Sequence, residues 1–127
     1  MDPIEYIESV KRFLLTDSRI VGHRILKEYA NLRKGYIRAR LTLSDSSLLE
    51  IAEYVELAPV DELKLIRYSY HWSASDGKMI RRWDNTKQFP DLPNAPYHIH
   101  DGKTDEVTPG KPISIFVVLD EIAAQAG

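Results

Sequence analysis

Between residues 19 and 84 the chain runs as a series of alternating, β-branched or aromatic segments. They are parted by turn residues at Asn31 to Gly35, Ser44 to Ser47, Ala58 to Glu62 and Ser73 to Lys78. Connections this short cannot carry a strand across a sheet into parallel pairing, which takes a crossover of about a dozen residues or more. The pattern predicts an antiparallel meander of about five strands, near residues 19–30, 36–44, 48–58, 63–73 and 78–84. Asp2-Pro3 reads as a helix cap followed by proline in the first turn, and Ile4, Ile7, Val10 and Leu14 recur at helical spacing, so a helix is expected over about residues 3–15. A closing helix is expected over Ile113 to Gln125. The expected fold is α+β: one antiparallel sheet with an N-terminal and a C-terminal helix on the same face.

The 127 residues suit a single domain, with a proline-rich functional loop at about residues 85–101. No apolar run reaches the length of a membrane helix, and the N-terminus carries Asp2 and Glu5 where a secretory signal would be basic and then apolar, so a cytoplasmic protein is expected. The absence of cysteine excludes disulfides, thiolate nucleophiles and cysteine-based metal centres. The charge is unevenly spread. Residues 19–40 are dominated by Arg19, Arg24, Lys27, Arg33, Lys34, Arg38 and Arg40, whereas residues 45–62 carry only acids, among them Glu50, Glu53 and Glu56, and separate cationic and anionic surfaces are expected.

Alternation assigns the sheet faces. Tyr68, Tyr70 and Trp72 fall on one side with Ile37, Ala39 and Leu41; Arg67, Ser69 and His71 fall on the other with Arg38 and Arg40. A two-residue turn at Asp76-Gly77 would pair Ser75 with Lys78, and onward Trp72 with Arg81, His71 with Arg82, Tyr70 with Trp83, and Ser69 with Asp84. In that register His71, Arg82, Asp84 and Arg67 converge on the polar face, while Arg81 falls awkwardly on the apolar one. His98 and His100, two residues apart, share one side of an extended segment. Such a pair fits general acid–base catalysis, two metal ligands, or two incidental solvated side chains; a metal would need Asp84 or Asp101 to complete its sphere, and none is expected. Arg38, Arg40 and Arg67, with Tyr29 and Tyr36 interleaved among the basic residues, are the candidates for an RNA backbone.

Taken in order, Tyr68-Ser69-Tyr70-His71-Trp72, Asp76-Gly77-Lys78, Ile80-Arg81-Arg82-Trp83-Asp84-Asn85 and Pro96-Tyr97-His98-Ile99-His100-Asp101 resemble the TumE-type toxins of prokaryotic toxin–antitoxin modules. The resemblance covers about residues 66–101 and carries Arg82, Asp84, Asn85, His98 and His100 as site residues. The chain departs from the family pattern at Thr86-Lys87-Gln88-Phe89, where a small residue, proline and a histidine pair are common, and at Tyr97. The resemblance implies a cognate antitoxin partner and action on RNA, and it is compatible with self-association. On the residues, the reading is a ribonuclease that needs no metal or other cofactor; the alternative is a module that binds RNA or protein without cutting. For the site to work, the proline-rich loop must fold back so that His98 and His100 reach Arg82 and Asp84, with both imidazoles lining a wet cleft.

Overall fold

The computed structural model describes residues 1–87 and 91–126. Residues 88–90 of the expected proline-rich loop, with the Gln88-Phe89 part of the departure from the family pattern, lie outside those residues.

Helix α1, Pro3–Thr16, starts where the sequence provides a capping box. The Asp2 carboxylate accepts from the Glu5 N–H at 2.8 Å, and the Glu5 carboxylate accepts from the Asp2 N–H at 3.1 Å. Its Ile7, Val10 and Leu14 are buried, while Ile4, expected on the same stripe, is exposed. Among the described residues the sheet has seven strands in strictly sequential order: β1 Ile20–Ala30, β2 Lys34–Leu43, β3 Leu48–Ala58, β4 Glu62–Ser73, β5 Met79–Asp84, β6 His98–Asp101 and β7 Val107–Pro109, every neighbour antiparallel. The first five match the expected meander. The last two extend it after the proline-rich segment. Helix α2, Ile115–Ala126, closes the chain.

Both helices lie on one sheet face. Ile7, Val10 and Leu14 from α1 and Ile115, Val118, Leu119 and Ile122 from α2 share a core with Ile37, Ala39, Leu41, Leu49, Ile51, Tyr70, Trp72 and Trp83. The Phe13 and Phe116 rings meet edge to face at 4.7 Å between the helices. Along β3 the core-facing positions read Leu49, Ile51, Glu53, Val55, and Glu53 is wholly buried. Its carboxylate accepts from Tyr6 Oη at 2.6 Å, Tyr70 Oη at 2.5 Å and the Ile115 N–H at 3.3 Å, which ties α1, the sheet and the start of α2 to one group. Burial pushes the Glu53 carboxyl above its usual range even against those three donors.

The expected surface separation of charge does not occur. Because β2 and β3 are paired neighbours, Glu50 sits opposite Arg40, and its carboxylate takes Arg38 at 2.6 Å and Arg40 at 2.9 Å. Acid and base therefore interleave on the open face, and Glu53 leaves the surface altogether.

Candidate functional site

The site is built on the β4–β5 hairpin. His71 pairs with Arg82, Tyr70 with Trp83 and Ser69 with Asp84, the register expected from Asp76-Gly77. The turn itself is one residue longer. Ala74 N–H bonds to the Lys78 carbonyl, leaving Ser75-Asp76-Gly77 as the loop, with Gly77 at φ 91°. Ser73 then pairs with Met79, and a bulge before the Trp72–Arg81 pair absorbs the difference. Arg81, awkward on the apolar face in the sequence, lies at the sheet end with its guanidinium 6.0 Å from the Trp83 ring centroid.

Strand β6 joins the edge of β5 with Arg82 opposite His100 and Asp84 opposite His98. The histidine segment thus extends the sheet instead of lying over it. Gly102 helps fix this register: its N–H bonds to the Ile80 carbonyl at the bulge, and a methyl group there would overlap the Met79 carbonyl oxygen. Strand β7 then covers β6, with His98 paired to Pro109.

These pairings set the open face in cross-strand rows. One row runs Arg24, Arg40, Glu50, His71, Arg82, His100. The next runs Lys27, Arg38, Ala52, Ser69, Asp84, His98. Their centre is Asp84, which has no exposed surface. One carboxylate oxygen lies 2.6 Å from His98 Nε2 and accepts from Thr86 N–H and Oγ at 3.1 and 3.0 Å; the other lies 2.9 Å from Arg82 Nε and 3.5 Å from His100 Nε2. His98 Nδ1 is 2.8 Å from the Pro96 carbonyl, so both ring nitrogens face oxygen acceptors.

The two histidines are not equivalent. His98 is 2% exposed, contrary to the wet-cleft expectation, its ring held between the buried Asp84 carboxylate and the Pro96 carbonyl. His100 keeps 20% of its side chain open and Arg82 38%. His71 and Arg82 line a cleft of about 620 Å³ with Arg24, Arg40 and Glu50, and His23 lines it too. Burial pulls the His71 imidazole below the usual histidine range, helped by the Arg82 cation and opposed by Glu50. Burial does the same to His100; Asp84 opposes it, and His98 and Arg82 add to it.

Other sequence candidates take different places. Asn85 accepts from the Tyr68 N–H at 2.9 Å and donates to the Ile66 carbonyl at 3.0 Å, so it anchors the end of β5 to β4. Arg38 and Arg40 hold Glu50 from the cleft side, and the Arg67 guanidinium lies 5.5 Å from the Tyr54 ring centroid. The residues missed from sequence are Glu53 and Thr86. The first was signalled by an acid in the apolar register of β3, the second by a hydroxyl two residues beyond Asp84. Among the described residues, Asp84, His98 and His100 are a group of three ligand-type side chains close enough to hold a cation, within 4.8 Å of one another. Arg82 already supplies positive charge to that carboxylate.

The geometry defines a class: a helix-backed antiparallel meander whose open face gathers imidazole and guanidinium groups around one buried carboxylate. The family model for Toxin TumE matches residues 10–126, nearly the whole chain, and the protein belongs to that toxin family. This is a toxin family of toxin–antitoxin modules, so a cognate antitoxin is the implied partner. No significant match was found among curated proteins or solved structures. No helix among the described residues is long and apolar enough to cross a membrane.

Proposed function

We propose that this toxin acts on RNA, as a ribonuclease that works through side chains and needs no metal. The observation that carries this reading is the row His71, Arg82, His100: a guanidinium flanked on the neighbouring strands by two imidazoles, with His71 and Arg82 lining a cleft of about 620 Å³ and His100 part-exposed beside them. Neighbouring strands are about 4.8 Å apart, so a phosphodiester against Arg82 has one imidazole on each side. His71, drawn toward its neutral form, takes the ribose 2′-OH proton. The 2′-oxygen attacks phosphorus, and Arg82 stabilises the charge of the pentavalent phosphate. His100, 3.5 Å from the Asp84 carboxylate that favours its protonated form, gives a proton to the departing 5′-oxygen. The products are a 2′,3′-cyclic phosphate and a 5′-hydroxyl. Asp84 and His98 hold Arg82 and His100 in place from behind.

The test pairs the purified protein with end-labelled single-stranded RNA and, in cells, expression without antitoxin. Cleavage to cyclic-phosphate ends, lost when the attacked ribose is 2′-deoxy, together with growth arrest lost in Arg82→Ala, is the expected result. Growth arrest with RNA left intact overturns the ribonuclease reading. RNA bound but uncut transfers the site to the binding-module alternative.

A further inference from the structure

A third cross-strand row lies beside the two that form the site, and none of its members takes part in the proposed reaction. Tyr29 pairs with Tyr36, Tyr36 with Tyr54, and Tyr54 with Arg67, so three phenol rings and a guanidinium stand side by side over β1 to β4. The Tyr29 and Tyr36 rings stack at 5.8 Å between centroids with 24° between their planes. Tyr54 is fixed by its hydroxyl, which donates to Glu56 at 2.5 Å, and by Arg67 against its ring. Tyr29 is 45% exposed. The three rings lie on the sheet face away from the core, and none belongs to the core cluster.

Between this row and the His71–Arg82 row, the middle row narrows to Ala52 and Ser69 before it reaches Asp84. Small side chains between taller neighbours make a trough of about 400 Å³, lined by Tyr29, Tyr36, Tyr54 and Arg67 on one side and reaching Ser69 and Thr86 on the other. Thr86 bonds directly to Asp84, so the trough ends at the site. Rows two residues apart on a strand are separated by about 7 Å and strands by about 4.8 Å, which puts Tyr54 roughly 16 Å from the Arg82 backbone. A few nucleotides of an extended strand span that distance.

We infer that the Tyr29–Tyr36–Tyr54 row is a stacking platform for unpaired bases of a single-stranded RNA whose scissile phosphate lies at Arg82. The inference rests on the RNA reading above. Two observations select this occupant. Flat aromatic faces accept any base, since every base has a π-face. The cations Lys27 and Arg67 line the same trough, beside the rings, where they can meet the phosphates of a strand laid along it. A duplex keeps its base faces stacked inside and would leave the rings unused.

The experiment measures fluorescence anisotropy of the full-length protein with a labelled 2′-O-methyl RNA of about 12 nucleotides, which 2′-oxygen attack cannot cut, and with a matching oligomer made abasic at successive positions. Tyr36→Ala is expected to weaken binding to the base-bearing RNA about 5- to 100-fold, to change binding to the oligomer abasic at the stacked position less than about twofold, and to be rescued by Tyr36→Phe. Tyr29→Ala, at the exposed edge, gives the same reading should Tyr36→Ala fail to fold. Equal effects on base-bearing and abasic RNA, or none on either, overturn the platform, and cleavage by the parent with its loss in Arg82→Ala shows that the RNA reading survives. A parent protein that neither binds nor cuts RNA overturns both. RNA affinity kept with antitoxin affinity lost assigns the row to the antitoxin and overturns the inference.

Discussion

Replacing Asp84 by asparagine keeps its shape and removes the one negative charge at the centre of the site. The parent carboxylate is fully buried and faces His98 at 2.6 Å, Arg82 at 2.9 Å and His100 at 3.5 Å. An amide offers one acceptor and sets an NH₂ against nitrogen donors. Breaking one side of a buried ion pair costs about 3–5 kcal/mol. Arg82 keeps 38% of its side chain exposed and can turn partly to water, so the low end applies, about 3 kcal/mol. His98 is sealed and has no such escape. For a chain of 127 residues each kcal/mol moves the melting temperature by roughly 3–5 °C, so Asp84→Asn should melt about 10–15 °C below the parent. Growth arrest should fall with it, because Arg82 loses the partner that orients it. The assay is a circular-dichroism melt of parent, Asp84→Asn, Arg82→Ala and the double variant. Coupling predicts that the double variant loses less than the two singles summed. A melt of Asp84→Asn within about 3 °C of the parent, with strict additivity, would refute this account of the carboxylate.

His98→Ala and His100→Ala should separate stability from function: the first, emptying a sealed contact, should cost about 2–3 kcal/mol, whereas the second should cost under about 1 kcal/mol and lower activity at least about 100-fold. Equal melts for the two variants would contradict the burial argument. The rate of RNA cleavage should peak on the acid side of the ordinary histidine value, because burial lowers both His71 and His100 and the reaction needs one neutral and one protonated; a rate that climbs steadily into alkaline pH would discard the two-imidazole mechanism. The raised Glu53 carboxyl means that the native state holds a proton the unfolded chain releases above the ordinary carboxyl value, so its contribution is complete below that value and fades as pH rises through the folded one. Glu53→Gln should remove this slope, and its melting temperature relative to the parent should rise from about pH 4 to about pH 8; a constant difference would argue against it.

The meander and its register were legible because β4 and β5 carry strong alternation and a glycine turn between them. The loop length was not: two turn lengths fit Ser73 to Lys78, and only the bulge near Ile80 restores the expected pairing. The extended character of β6 was legible from alternation over residues 97–100, but not its place at the edge of β5; β7, three residues long and ending in proline, is too short for alternation to separate from loop. His98 and His100 look alike in sequence. What divides them is their place along β5: His98 stands opposite the wholly buried Asp84 and His100 opposite the part-exposed Arg82, a long-range pairing that local pattern does not encode. Glu53 was misread for the opposite reason. Its place between Ile51 and Val55 marked it as inward, but its acidic neighbours Glu50 and Glu56 drew it into a presumed surface.

The sequential strand order also sets a timetable. Each strand docks on the one made just before it, so the sheet can grow in the order of synthesis, as N-terminal parts generally fold first on the ribosome. The cleft walls from His23 to Arg82 are complete while residues 98–109 are still to come, and β6 then brings His98 beside Asp84 and His100 beside Arg82, with β7 pairing along its other edge. On the reaction proposed above, a chain assembled in this order lacks one of its two imidazoles until its last quarter is made.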